Sequence, residues 1–262
     1  MKIPFAQIDA FADRPFTGNP AAVMLLEAWL DDAVLQAIAQ ENNLAETAFL
    51  VPTTGDAAYE LRWFTPAVEV ALCGHATLAS GHHVLGKGGD EVRFRTRKAG
   101  VLKVRRVGDA YELDLPAWEM QVEPRPEITT HVGGNPLKTL WRDGGYSLLV
   151  YETEAEVRAL RPDFKALAAI DPGDILYIAT APGIDTDVVS RCFAPGAGID
   201  EDPVTGSAHS LLTAYWAKRL GRDNFTAYQA SARGGHVACR LVGDRAVLGG
   251  QCVTVIEGMF TF

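Results

Sequence analysis

Cysteine is scarce: Cys73, Cys192, Cys239 and Cys252 are the only four in 262 residues, and none stands in a CxxC pair. That spacing excludes a disulfide framework and a zinc ribbon, and it leads to the expectation of a reduced, cytoplasmic protein. No apolar run is long enough to span a bilayer, and Met1-Lys2-Ile3-Pro4-Phe5 lacks the apolar core and cleavage site of a secretory leader. Positive charge is also short, with 24 Lys and Arg against 33 Asp and Glu and a net charge of −9. No nucleic-acid partner is expected, because phosphate contacts require clustered cations. HExxH, a Walker loop, GxGxxG after a strand and the GxSxG elbow are all missing. Neither a metal nor a nucleotide cofactor is therefore expected. What remains is ordinary for a globular chain, 48% hydrophobic and 22% charged, and long enough for two domains.

The chain contains its own central segment twice. Arg62-Trp63-Phe64-Thr65-Pro66 leads to Cys73-Gly74-His75-Ala76, and Arg191-Cys192-Phe193-Ala194-Pro195 leads to Thr205-Gly206-Ser207-Ala208. From Arg to Gly the distance is 12 residues in the first copy and 15 in the second, so the second carries a small insertion. A repeat of this length implies two similar halves, with a functional cleft where the two Gly-x-Ala elements face one another.

Period-two patterns predict strands over 3–11, 21–26, 47–51 and 58–64, and three more between Glu91 and Leu115. In the first of those three, Arg93, Arg95 and Arg97 alternate with apolar or small residues, either as a solvated sheet face or as a docking patch. Asp31 is a candidate N-cap for a helix ending near Asn43. The proline- and glycine-rich stretch 118–136 lacks periodicity and reads as a linker, dividing the chain into halves 1–118 and 119–262. The second half then repeats the order strand, helix broken at Pro162, strand, and the chain ends in a strand over 249–262. Each Gly-x-Ala element should open a helix. The second, with Ala208, Leu211, Leu212, Tyr215, Trp216 and Leu220, is apolar almost all round and so belongs inside. The fold class is α+β, two pseudo-symmetric domains that each curl a sheet around a central helix.

Helix starts present unpaired N–H groups, and Gly74 and Gly206 would let an anion approach them, unless each glycine serves only a tight turn. Glu46 sits in the apolar stretch Leu44–Val51, where a desolvated carboxyl suits proton transfer, although strand-end glutamates are commonly solvated. His75 follows Gly74 and is placed to donate or to shuttle a proton. Asp202, followed by Pro203, looks like an N-cap with proline at the first helical position. It is also one of three consecutive acids, one of which would orient a cationic or amino group of a substrate.

Phe16-Thr17-Gly18-Asn19-Pro20-Ala21, Asn43-Leu44-Ala45-Glu46-Thr47, Leu72-Cys73-Gly74-His75-Ala76-Thr77 and Glu201-Asp202-Pro203-Val204-Thr205-Gly206-Ser207-Ala208-His209 occur in order. Together they resemble the PhzF-like isomerases of phenazine biosynthesis. The resemblance implies the diaminopimelate epimerase-like fold, a site between the halves and catalysis without cofactor. It places Glu46 as general acid/base, His75 and Asp202 as substrate-orienting residues, and Gly74, Gly206 and Ser207 around the substrate carboxylate. The implied reaction moves a proton between carbons of a small carboxylated metabolite, and the implied assembly is a homodimer. A rival of the same fold is a two-thiol racemase or epimerase, but Thr205 stands where the second thiol would be. A binding protein without turnover is the other rival.

Overall fold

The structure is a computed structural model that describes residues 1–170 and 175–262. Its chain folds into two compact units, Met1–Leu115 with Val247–Phe262, and Pro116–Ala246.

In the first unit, β1 (Lys2–Ala10) and β2 (Asn19–Leu25) pair antiparallel, and α1 (Asp32–Asn42) leads to β3 (Glu46–Pro52). Then follow β4 (Tyr59–Phe64), β5 (Glu69–Val70), α2 (Gly74–Leu85), β6 (Glu91–Thr96), β7 (Val101–Val107) and β8 (Ala110–Pro116). The strand β2 runs parallel to β3, β3 antiparallel to β4, β4 parallel to β6, and β6, β7 and β8 form an antiparallel meander. The sheet curls around α2, which packs against β1, β2, β3, β6 and β7. A Cβ on Gly81 would lie 2.3 Å from Val104 Cγ1, so the absent side chain is what lets α2 sit this close to β7. Arg93, Arg95 and Arg97 pair with Glu91, Asp56 and Glu69, as a solvated face does. Asp31 occupies the N-cap position of α1 but caps through its backbone carbonyl, with no side-chain bond.

The second unit holds β9 (Gln121–Val122), α3 (Pro126–Val132), β10 (Lys138–Arg142), β11 (Tyr146–Val150), α4 (Glu154–Ala159) and α5 (Phe164–Ile170). It continues with β12 (Leu176–Pro182), β13 (Val188–Ala194), β14 (Ile199–Asp202), α6 (Gly206–Leu220), β15 (Asn224–Gln229) and β16 (Gly235–Val242); β17 (Arg245–Gly250) starts here and passes into the first unit at Val247. Its pairings repeat those of the first unit: β11 parallel to β12, β12 antiparallel to β13, β13 parallel to β15, β15 antiparallel to β16. Helix α6 is buried over most of its circumference, and its Trp216 donates to Thr180 Oγ1 of β12 at 3.0 Å.

Two expectations are corrected. The boundary at 118/119 with an unbroken second half does not hold. The final strand, β18 (Cys252–Thr261), pairs with β1 along its full length, from Lys2–Thr261 to Ala10–Cys252, and returns the chain end to the first unit. Strand partners are chosen by shared edges, which sequence order does not reveal. The stretch 118–136 is also more than a linker: Pro126 opens α3, and Ile128 and Val132, one turn apart, are fully buried in the second core beside Tyr151 and Val157. A seven-residue amphipathic helix is too short to show as periodicity.

The repeat extends to side-chain detail. Arg62 makes a bidentate pair with Glu69 at 2.8 Å on both contacts and lies 4.9 Å from the Phe64 ring. Arg191 does the same with Glu201, at 2.7 and 3.0 Å, and lies 5.0 Å from Phe193. Each glutamate stands five residues before its helix-opening glycine, so the insertion falls between Pro195 and Glu201, where the chain makes a 3₁₀ turn over Pro195–Ala197. Glu201 is thereby committed to structure, which removes it from the acids available to a substrate.

Candidate active site

Glu46 is the first residue of β3, paired in register with Ala21 of β2, and its side chain is 12% exposed. The turn that delivers it is set by Asn43, left-handed at φ 47, and by Asn42, whose amide donates to Thr47 Oγ1 at 3.1 Å. Across from it, α2 begins at Gly74 and points His75 back towards the strand. His75 Nε2 lies 2.9 Å from Glu46 Oε2, and Cys73 Sγ lies 3.5 Å from His75 Nδ1. The contact of His75 with Glu46 has ion-pair distance without hydrogen-bond alignment, so Glu46 Oε2 is a buried oxygen with no aligned donor. An acceptor in that condition has room for a further hydrogen-bond donor.

Asn19, fully buried at the start of β2, is 3.1 Å from His75 Nδ1 through its amide nitrogen. That contact fixes the ring nitrogen opposite the one that faces Glu46. Asn19 belongs to the Gly18-Asn19-Pro20 turn, where Gly18 has φ +64 and a Cβ would meet Ala10 O at 2.2 Å. No role for Asn19 emerges from the sequence alone; the Gly-Asn-Pro turn between two strands is the signal that marks it.

Burial presses His75 towards neutrality, but its contacts with Cys73 and Glu46 outweigh that and hold its pKa well above the ordinary value. Burial and the Glu46 charge together push the Cys73 thiol up to about 11. Near neutral pH Cys73 is thus a protonated thiol. Glu46, Cys73 and His75 each place a ligand-type atom within 4.8 Å of the others, a grouping that can hold a thiophilic cation such as zinc. Sequence spacing misses this set because Glu46 comes from a different element.

In the second unit Asp202 ends β14 and is buried. The expectation that it caps a helix with Pro203 at the first position is not met: α6 starts at Gly206, with Thr205 at the N-cap position. Asp202 instead accepts a hydrogen bond from the Thr205 hydroxyl through Oδ2. Gln229, fully buried in β15, locks this turn by accepting from Thr205 N at 2.9 Å and donating to Asp202 O at 2.7 Å and Thr205 Oγ1 at 3.2 Å. Nothing local in the sequence marks Gln229, which lies more than 20 residues away in the chain. Neither α2 nor α6 has a side-chain N-cap bond, so the first-turn N–H groups at Gly74, and at Gly206 and Ser207, meet no capping side chain. Uncapped helix starts of this kind receive anions.

The two units are alike in frame and unlike in chemistry. Phe64 faces Thr47 in one and Phe193 faces Tyr177 in the other, so the position of Glu46 is taken by Leu176 in the second unit. Counted back from the helix glycines, His75 corresponds to Ser207 and Cys73 to Thr205. Each unit binds the base of its helix in the same way: Thr77 donates to Cys73 O at 2.5 Å, and His209 Nδ1 lies 2.8 Å from Thr205 O.

Residues 8–258 match the family model described as phenazine biosynthesis-like protein (PhzC-PhzF). The chain is 48% identical over 262 residues to a Pseudomonas aeruginosa protein named as an uncharacterized isomerase, covering 98% of each. It is 42% identical over 266 residues to one of the same description from Halalkalibacterium halodurans, again covering 98% of each. Among solved structures, a PhzF family phenazine biosynthesis protein from Enterococcus faecalis superposes with a TM-score of 0.91 at 41% identity, covering 100% of both chains.

Proposed function

The chain belongs to the phenazine biosynthesis-like family, and on that premise we propose that it is an isomerase in which Glu46 moves a proton between two carbons of a small carboxylated metabolite. The observation that carries the reading is the buried, unaligned Oε2 of Glu46 beside His75. As base, Glu46 takes a proton from carbon and the electron pair enters the conjugated system of the substrate. As acid, it delivers a proton, exchanged with solvent on the carboxyl in the meantime, to the far end of the shifted double bond, so no redox partner or leaving group is needed. His75 holds the carboxylate in place, and Asn19 holds His75. The uncapped start at Gly74 receives carboxylate oxygen, and the second unit offers an anion-binding turn of its own at Gly206 and Ser207, with Asp202 beside it as a group that orients a polar substituent.

A two-thiol epimerase is the weaker reading. Cys73 holds its proton up to about pH 11, and its counterpart Thr205 donates its hydroxyl proton to Asp202. The deciding experiment incubates small cyclic and amino carboxylates in D₂O with wild type and with Glu46→Gln. Carbon-bound deuterium should appear with the wild type and fall to background with the variant. Equal exchange by both would remove Glu46 from the mechanism, and tight binding without exchange would identify a binding protein.

A further inference from the structure

The second unit carries a cavity of about 350 Å³ that the proposed chemistry leaves unused. Leu140 of β10, Leu211 and Ala214 of α6, and Met120 give it an apolar lining, with Trp118 and Tyr215 as aromatic walls. Three cations also line it, against one carboxylate. Lys218 is neutralised by Glu119, 2.5 Å away. Lys138 and Arg219 have no carboxylate partner among the described residues; they lie against ring faces instead, Lys138 Nζ 5.3 Å from the Tyr215 centroid and Arg219 5.6 Å from that of Trp216. Two uncompensated cations around an apolar cavity run against a chain of net charge −9.

Such a lining discriminates by chemistry. An apolar floor with aromatic walls rewards a flat hydrocarbon group, and the two cations reward a negative charge at its edge. The volume is near the lower end of the range of roughly 300–1,000 Å³ for small-molecule sites, which suits a ligand of one or two rings. The cavity is separate from the anion-binding start of α6. Tyr215 is nine residues beyond Gly206, which at about 1.5 Å per residue places it roughly 14 Å along the helix. We propose that this cavity is a second binding site, for an amphipathic aromatic carboxylate, with the carboxylate on Lys138 and Arg219 and the ring system against Trp118 and Tyr215. The proposal does not depend on the isomerase reading.

The test is a calorimetric titration of the full chain with 1-naphthoate and with its neutral isostere 1-naphthamide, repeated on the double variant Lys138→Gln/Arg219→Gln. Quenching of tryptophan emission, lost in Trp118→Phe, locates the ligand. Saturable binding of the acid is expected, at least tenfold weaker for the amide and at least tenfold weaker in the double variant, with unchanged thermal unfolding. Absence of saturable binding, equal affinity for acid and amide, or quenching that persists in Trp118→Phe would overturn it. Should the double variant fold poorly, the acid–amide comparison on wild type decides alone.

Discussion

A hydroxyl that accepts one hydrogen bond directs its own proton elsewhere. Gln229 Nε2 donates to Thr205 Oγ1, so the Thr205 proton goes to Asp202 Oδ2, and the buried carboxylate is held in one orientation. Thr205→Val removes that hydrogen bond to the buried Asp202 carboxylate, at a cost of roughly 1–3 kcal/mol. Urea unfolding should show this loss, Thr205→Ser should restore most of it, and unchanged stability in Thr205→Val would show the bond to be idle. The same scale decides the role of Cys73. With its proton held up to about pH 11, the thiol is neither a ready base nor a ready nucleophile at neutral pH. Cys73→Ser should keep most of the deuterium exchange, and loss of more than about 1.4 kcal/mol of transition-state stabilisation, a tenfold fall in rate, would bring a thiol back into the mechanism.

Among the elements, the two central helices decide where the candidate residues point. Helix α2 can approach β7 only because Gly81 has no side chain, and Val104, fully buried and β-branched, has no room to yield. Gly81→Ala should therefore destabilise by about 1–3 kcal/mol through overpacking, even though alanine is the better helix former. Paired with Val104→Ala in a double-mutant cycle, the two should couple with opposite sign, the combined loss being smaller than the sum. Strict additivity would mean that the helix does not press on this strand. The buried Arg–Glu pairs, one before each helix, anchor the segment that leads into the Gly-x-Ala start. This explains why the repeat keeps Arg, Phe, Pro and the glutamate while Glu46, Cys73 and His75 give way to Leu176, Thr205 and Ser207. The frame is duplicated, and the chemistry is not.

At the scale of the whole molecule, buried histidines tie stability to pH. His209 is fully buried, and burial lowers its pKa to about 4, against the bond to Thr205 O that favours its charge. The unfolded chain binds a proton there near pH 6.5, while the folded chain refuses it until about pH 4. The stability this neutral form protects is therefore complete above pH 6.5 and is lost as pH falls from there towards 4, by at most about 3 kcal/mol. His209→Asn, which retains a donor for the Thr205 carbonyl and does not titrate, should flatten that part of the thermal unfolding profile. An acid limb identical to wild type would assign the slope to other groups.

The family, the α+β class, the duplicated frame and most of the strands were legible in the sequence, because each is written in local terms: period-two patterns, glycine before a helix, proline at a break. Glu46, His75 and Asp202 were likewise visible as residues. Their partners were not. Asn19 on His75, Gln229 on Asp202 and Thr205, and the pairing of β18 with β1 all join positions far apart in the chain. The role of Asp202 shows the same limit. Asp-Pro reads locally as a helix cap, but α6 begins only at Gly206. By itself the sequence determined which elements form and which chemical groups are available. Only the tertiary structure decided which groups meet and which are stripped of water, and so which protons are held, since burial and cross-chain hydrogen bonds are properties of the packed chain.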